Sequence, residues 1–452
     1  MPETMGPGVV LFDYDRDGDL DIFVANSSGL PGHSTSKIPP TSCLYRNDGA
    51  FRFADVSEAA GLGFASYGMG GAAADYDGDS YLDLLVTTWG GPRLFHNEEN
   101  GTFKEVTQEA GLVVQGWTDK KGRQGPDWST GAVFFDADGD RALDLLVVNY
   151  VEWSPFSDIA TTYDGFNKGY TSPRSYRGDL PRLFLWKGDR FIETTLLSNF
   201  VTPGKSLGIA LWDFNQDGRL DIVVANDTQP NFLYENLGGG KFKERGLEAG
   251  IAYDENGRTR AGMGIDIADI QNDGTATIAI GNFSKEPVSV FKSVGPGLFR
   301  EASQQSGVAA PTFPVLTFGL LFADLDLDGW QDLILANGHI EPHIQDTEAE
   351  IPYRQPLKLL GNTGKGTFVD WTQSAGQPFR TPMVGRGLAV GDLDGDGDLD
   401  LVVTENGGPL HVLRNDAPRK YHYLRVQRKG AAPNTQAIGA RIEVKSGDLS
   451  QQ

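Results

Sequence analysis

One nine-residue acidic pattern recurs seven times along the 452-residue chain, and any fold for this chain must give all seven copies the same kind of surroundings. The copies are DYDRDGDLD from 13, DYDGDSYLD from 75, DADGDRALD from 136, DFNQDGRLD from 213, DIQNDGTAT from 269, DLDLDGWQD from 324 and DLDGDGDLD from 392, with starts 55 to 77 residues apart. Repetition at this period marks an array of like supersecondary units rather than one conventional core.

The unit is clearest in the second copy: GMGGAAAD, the acidic loop, LDLLVTTW, then PRLFHNEENGTFKEVTQEAGL. The small or apolar run before the loop and the Leu/Val run after it are short, aliphatic and bounded by turn residues, as buried strands are. RLFHNEENGTFKEV alternates and breaks at an Asn-Gly turn, the mark of a hairpin. Each unit therefore predicts a four-stranded antiparallel sheet. Seven of them predict an all-β, seven-bladed β-propeller over residues 1–415, followed by part of a small β domain over 416–452. The seventh unit stops after PLHVLRND without a GTFxxV segment, so its outer strand has to come from elsewhere or be absent.

The loop chemistry points to calcium. Acids fall at positions 1, 3, 5 and 9, with Gly usually at 6; alternate residues of a tight loop turn their oxygens to one centre, and calcium takes six to eight oxygens in flexible geometry. Position 7 would add a backbone carbonyl. The expected ligands are Asp13, Asp15, Asp17, Asp19 and Asp21 in the first loop, and Asp75, Asp77, Asp79, Tyr81 and Asp83 in the second. Asp136, Asp138, Asp140, Ala142 and Asp144 follow in the third, and Asp213, Asn215, Asp217, Arg219 and Asp221 in the fourth. Asp324, Asp326, Asp328, Trp330 and Asp332 serve the sixth, and Asp392, Asp394, Asp396, Asp398 and Asp400 the seventh. The fifth loop has Gln271 and Thr277 at positions 3 and 9, so 269–277 is expected to be empty or weak and the total to be about six sites. An EF-hand would need an acid at position 12. Position 12 is Val24, Val86, Val147, Val224, Leu335 or Val403 in the six, each inside a strand run, and the Leu/Val runs equally exclude the helix that follows a dockerin-type loop.

Composition narrows the partners. With 61 acidic against 39 basic residues the formal charge is −22, which argues against a nucleic-acid ligand. One cysteine, Cys43, excludes an internal disulfide framework, and no run reaches the roughly 18 apolar residues of a membrane helix. The opening MPETMGPGVVLFDYD has no basic and apolar leader and enters the first repeat almost at once, as expected of a chain that lacks upstream residues.

These units resemble FG-GAP or VCBS repeats, as in the integrin α-subunit propeller. PETMGPGVVLFDYDRDGDLDIFVAN, ANGHI at 336–340 and YLRVQRKGAAPNTQAIGARIEVKSG at 423–447 further resemble the cartilage acidic protein (ASPIC/UnbV) family. The resemblance implies a secreted, extracellular, periplasmic or outer-surface protein with a binding or cell-adhesion role and no known catalysis.

If the acidic loops join strands 1 and 2 on one face, the long insertions at 27–42, 112–130, 151–181 and 338–356 emerge on the other. They carry Trp117, Trp128, Trp153, Tyr163, Tyr170 and Tyr176, candidates for contact with a protein or glycan partner, although large loops also bury such rings in their own packing. Asn26, Asn149, Asn226, Asn282 and Asn337 recur at the ends of the second strands and are expected to cap them. His339 and His343 flank Glu341 in NGHIEPH and would be the acid/base or metal candidates of an enzyme. No G-x-S-x-G, H-E-x-x-H or P-loop accompanies them. The competing functions are a polysaccharide-active, lyase-like enzyme using the loop face and a purely structural module.

Overall fold

The computed structural model describes residues 1–30, 39–162, 165, 168–417, 422–447 and 449–451. Among these residues, six four-stranded antiparallel sheets and one three-stranded sheet follow one another in chain order; each is built from consecutive strands except the third, where the short hairpin Thr161–Thr162/Lys168–Gly169 stands between its second and third strands. In blade 2 the strands are Gly68–Ala74, Asp83–Thr88, Gly91–Asn97 and Phe103–Glu105. The last sheet, blade 7, comprises Gly385–Gly391, Asp400–Glu405 and Leu410–Leu413.

Why the second strand of each blade is the most apolar is evident from its position. Asp83–Thr88 is buried at every residue, as are Asp144–Asn149, Asp221–Asn226 and Asp332–Asn337, because a central strand is covered on both faces by neighbouring blades. The position-12 residues of the loops lie within these strands and are buried, so the EF-hand geometry is absent.

The first strands form the inner ring, each packed on the next, and the strand Gly8–Phe12 of blade 1 meets Gly385–Gly391 of blade 7 to close it. Close approach requires glycine here: a Cβ on Gly8 would lie 2.5 Å from Met69 O, and one on Gly264 2.1 Å from Phe318 O. The seam between blades 7 and 1 is further tied by Thr404 Oγ1 donating to Pro7 O at 2.6 Å and Asn406 Nδ2 donating to Glu3 O at 2.9 Å.

Apolar clusters fill the gaps between consecutive blades. Phe12, Phe23, Leu44, Leu84, Phe95 and Phe103 occupy the gap between blades 1 and 2. Among the described residues after blade 7, Val444–Ser446 and Leu449–Gln451 pair as a short hairpin. Their segment touches the acidic face, where Gln436 Oε1 accepts the Asp75 amide at 3.1 Å and Thr435 Oγ1 donates to the Asp75 carboxylate. No helix among the described residues is long and apolar enough to cross a membrane.

Candidate metal centres and the opposite face

Each acidic loop connects the first and second strands of its blade, and its first aspartate shapes it. Asp13 accepts the amides of Asp17 and Gly18, both at 3.1 Å. Asp324 accepts those of Asp328 and Gly329 at 3.0 and 2.8 Å, and Asp392 those of Gly395, Asp396 and Gly397 at 2.8, 3.1 and 3.1 Å. Positions 4 and 6 both take the left-handed conformation. Glycine supplies it at position 6 in most copies, but in the second and third loops Gly78 and Gly139 stand at position 4, while Ser80 and Arg141 take φ of 81° and 75° at position 6.

The last aspartate of the loop ties it to the sheet. Asp83 accepts the Tyr76 amide at 3.3 Å and the Asn97 amide, from the end of the third strand, at 2.9 Å. The pair recurs on Asp21, Asp144, Asp221, Asp332 and Asp400. Burial pushes the carboxyls of Asp21, Asp83, Asp144 and Asp332 up to about 7, and those of Asp221 and Asp400 up to about 6, with the other loop acids adding to the rise and the donated amides opposing it.

The remaining acids converge. Carboxylate oxygens of Asp13, Asp15 and Asp17, of Asp75, Asp77 and Asp79, and of Asp324, Asp326 and Asp328 lie within 4.8 Å of one another in each loop, and Asp136 and Asp138 converge likewise with Asp144. Asp15 Oδ1 is buried and accepts no hydrogen bond, and burial together with the Asp17 charge raises its carboxyl. An all-oxygen donor set with a buried, unsatisfied acceptor and mutually repelling carboxylates fits a hard divalent cation such as calcium. Held there, the ion would supply charge neutralisation and cross-linking of the loop.

Three loops also hold a basic side chain beside their carboxylates; sequence reading missed His96 and Lys187, and took Arg219 only for its position-7 backbone carbonyl. His96 Nδ1 lies 3.0 Å from Asp83 Oδ1 and 3.5 Å from Asp77 Oδ2, and its bond to Asp83 pushes the imidazole up to about 9. Lys187 Nζ lies 2.7 Å from Asp138 Oδ2, and Arg219 pairs with Asp217. In the fifth blade, Lys292 is the register partner of Thr277, the residue that replaces the closing aspartate. For His96, Lys187 and Lys292 the signal is alignment of the third strand, or the residue just past it, with the second strand, whereas Arg219 lies in the loop itself.

On the opposite face the insertion aromatics are largely consumed by packing. Trp128, Tyr150, Trp153 and Tyr176 share one buried cluster, with Trp128 and Tyr150 edge-to-face at 5.2 Å, and Trp117 is buried as well. Tyr163 lies outside the described residues. Tyr170 is half-buried and lines a cavity of about 370 Å³ together with Tyr150, Asp227, Met263, Phe283 and Phe318. Within it, Tyr150 Oη donates to Asp227 Oδ2 at 2.5 Å.

His339 is 1% exposed, its Nδ1 accepts the Glu341 amide at 3.0 Å, and its ring meets Phe283 at 5.1 Å. Burial holds it down to about 4, a neutral imidazole. His343 is exposed, so the two histidines occupy different environments. The strand-end asparagines do cap: Asn149 Nδ2 donates to Leu180 O at 2.8 Å, Asn226 to Pro230 O at 2.7 Å and Asn337 to Pro356 O at 2.9 Å. Their carbonyl oxygens accept from Ser129, Ser206 and Thr317 on the first strands.

The FG-GAP-like repeat pattern matches residues 13–86, 75–147, 213–280 and 349–403. The chain is similar to cartilage acidic protein 1 from Xenopus tropicalis, 23% identical over 455 residues, and from Mus musculus and Homo sapiens, each 24% identical. In each case 94% of this chain is aligned, and the chain spans about three fifths of the relative's length, 62%, 62% and 60%. Among solved structures, BBS1N in complex with ARL6DN, from a mercury-soaked crystal, aligns with a TM-score of 0.52 at 10% identity, covering 92% of this chain and 94% of that one. That likeness is one of fold.

Proposed function

This chain belongs to the FG-GAP-like repeat family, and from that premise we propose that it is a calcium-loaded extracellular propeller that holds a protein or glycan partner on the face opposite its acidic loops. The observation that carries the calcium reading is the recurrent convergence of loop carboxylates to within 4.8 Å, in loops whose closing aspartates anchor them to the sheet. An array of about six such ions would set twelve positive charges against the formal −22 and relieve much of the self-repulsion. Extracellular calcium modules work at roughly 10⁻⁴–10⁻³ M, a range that exposed loops of this kind suit. The fifth loop, with Lys292 beside Thr277, stays empty or weak. The segment from 416 is read as part of an ASPIC/UnbV-like β domain.

The binding role rests on the insertion loops, held by buried aromatic packing on a rigid ring, and on the relationship to cartilage acidic proteins. Melting is to be followed with calcium and with chelator: a drop in Tm of 10 °C or more on chelation is expected, and an unmoved transition would sink the calcium reading. A glycan array probed with the calcium-loaded chain tests the second half. Cleavage of a polysaccharide panel, seen as new reducing ends or unsaturated products, would replace the binding role with an enzymatic one.

A further inference from the structure

Four second strands end around one cavity on the insertion face. Tyr150 follows Asp144–Asn149 of blade 3, Asp227 and Thr228 follow Asp221–Asn226 of blade 4, and Phe283 and Glu286 lie beyond Thr277–Ile280 of blade 5. With Ile340, beyond Asp332–Asn337 of blade 6, they line the cavity of about 370 Å³ to which the 151–181 insertion contributes Tyr170 and Arg174. Met263 and Phe318 line both this cavity and a second one of about 350 Å³ among the first strands, so the site stands at the mouth of the ring's central channel. Met1 and Met5 also line it, but its ionisable side chains all come from 150–286.

The cavity holds acids without a counter-ion. Asp227 is 8% exposed; its Oδ2 takes the Tyr150 hydroxyl, and among the described residues no other donor reaches the carboxylate. Glu286 is half-buried, with Oε2 accepting the Ala261 amide at 2.7 Å. No described basic side chain comes within 4.0 Å of either carboxylate. The buried Arg386, stacked over Phe318 at 4.1 Å, gives its N–H groups instead to the carbonyls of Thr4, Gly338 and Gly385. Burial raises Asp227 to about 6; the Tyr150 bond and the more distant Lys205 and Arg174 oppose the rise, and Glu286 adds to it. Acids this deep are ordinarily paired.

The wall is strained beside them. Thr228, a β-branched residue, is held at φ 58°, and its Oγ1 is buried without a partner. Surroundings that enforce such a backbone are characteristic of ligand clamps. The rest of the lining is mainly apolar, and Tyr170, Met263, Phe283 and Phe318 suit a hydrocarbon stem, the rings also the face of a cation. The formal charge of −22 draws cations towards such an opening.

We propose that this cavity binds an organic cation, an alkylammonium or alkylguanidinium group whose charge is met by Asp227 and Glu286 and whose stem lies against Tyr170, Met263 and Phe283. Thr228 Oγ1 offers a further acceptor. The site rests on the reading of this face as the partner-binding one and gives it an anchor point: a lysine or arginine side chain of a protein partner, or a free amine of the same chemistry.

The probes are Nα-acetyl-lysine amide and Nα-acetyl-arginine amide, with Nα-acetyl-norleucine amide as the uncharged isostere and pentylamine as the free amine. Each is titrated calorimetrically into the full chain in saturating calcium, which keeps the acidic loops occupied. Saturable binding of the charged probes is expected, at least about tenfold tighter than that of the norleucine amide, and Asp227→Asn and Glu286→Gln are each expected to weaken it by a similar factor. Glu286→Gln keeps an acceptor for the Ala261 amide, so the comparison survives if Asp227→Asn does not fold. Tighter binding of the amino-acid amides than of pentylamine assigns the cation to a protein side chain, and the reverse order to a free amine. No binding of the charged probes at tens of millimolar, equal binding of the norleucine amide, unchanged affinity in a folded variant, or a neutral monosaccharide bound as tightly as the cations would overturn the proposal. Failure here leaves the partner-binding reading of the face to the glycan array, and a blank array leaves this site standing.

Discussion

Lys187 Nζ reaches from the end of the third strand of blade 3 into that blade's acidic loop, 2.7 Å from Asp138 Oδ2 and 3.3 Å from Asp140 Oδ2. A lysine and a divalent ion compete for the same oxygens. Lys187→Met is therefore expected to tighten calcium binding at this loop by about threefold to tenfold, the modest worth of a half-exposed pair. Calorimetric titration of the variant beside the parent would read it, and weaker binding would mean that Lys187 supports the ion rather than opposing it.

Stoichiometry separates the fifth loop from the rest. About six calcium ions per chain are expected in equilibrium dialysis. The triple change Gln271→Asp, Thr277→Asp and Lys292→Ala restores the acid spacing and removes the basic register partner, so it is expected to add one. A count of seven in the unaltered chain would show that Asp269 and Asp273 suffice.

The third-strand asparagines stitch the blades together. Asn97 Nδ2 donates to Tyr14 O at 2.8 Å and Leu82 O at 3.2 Å, and Asn47 Nδ2 donates to Leu393 O at 2.8 Å across 346 residues. Truncation leaves buried carbonyls without donors, so Asn97→Ala is expected to cost about 2 kcal/mol, measured as a shift in the urea midpoint at unchanged slope. Asn47→Ala should cost a similar amount while loosening the seam, visible as faster amide exchange in blades 1 and 7 alone.

Acid should weaken the fold through His339. Its folded value of about 4 lies below the ordinary 6.5, so between those pH values the unfolded chain takes up a proton that the folded chain refuses. Stability rises with pH across that window and falls on acidification, by at most about 3 kcal/mol over the whole span. Arg386 reinforces the depression and Glu348 opposes it. His339→Asn keeps an oxygen for the Glu341 amide and the same carboxylates elsewhere, so the difference in Tm between parent and variant isolates the imidazole; parallel pH profiles would show that His339 does not govern it.

The repeat made the propeller legible, because seven copies of one acid spacing leave few architectures, and the missing outer strand could be read where GTFxxV failed to recur. Beside the loop cations His96 and Lys187, two further features escaped. The closing aspartates were read only as ligands, whereas each also anchors its loop through two amides, one from a strand some 15 to 40 residues away, a contact that depends on register. Which rings of the aromatic loops pack inward also escaped: they were offered as candidate contact surface with burial in the loops' own packing as the alternative, and Trp117, Trp128, Trp153 and Tyr176 are buried. Long insertions need a core of their own before they can present anything, and the residue count of a loop does not say which rings form it.

The ring's closure has a mechanical side. Six sheets are complete ladders, but blades 7 and 1 are joined by packing and by side-chain bonds such as Thr404 to Pro7, Asn406 to Glu3 and Asn47 to Leu393. A load drawing these two blades apart falls on that packing and those few bonds, whereas every other neighbouring pair of blades among the described residues is also tied by the chain running from one to the next.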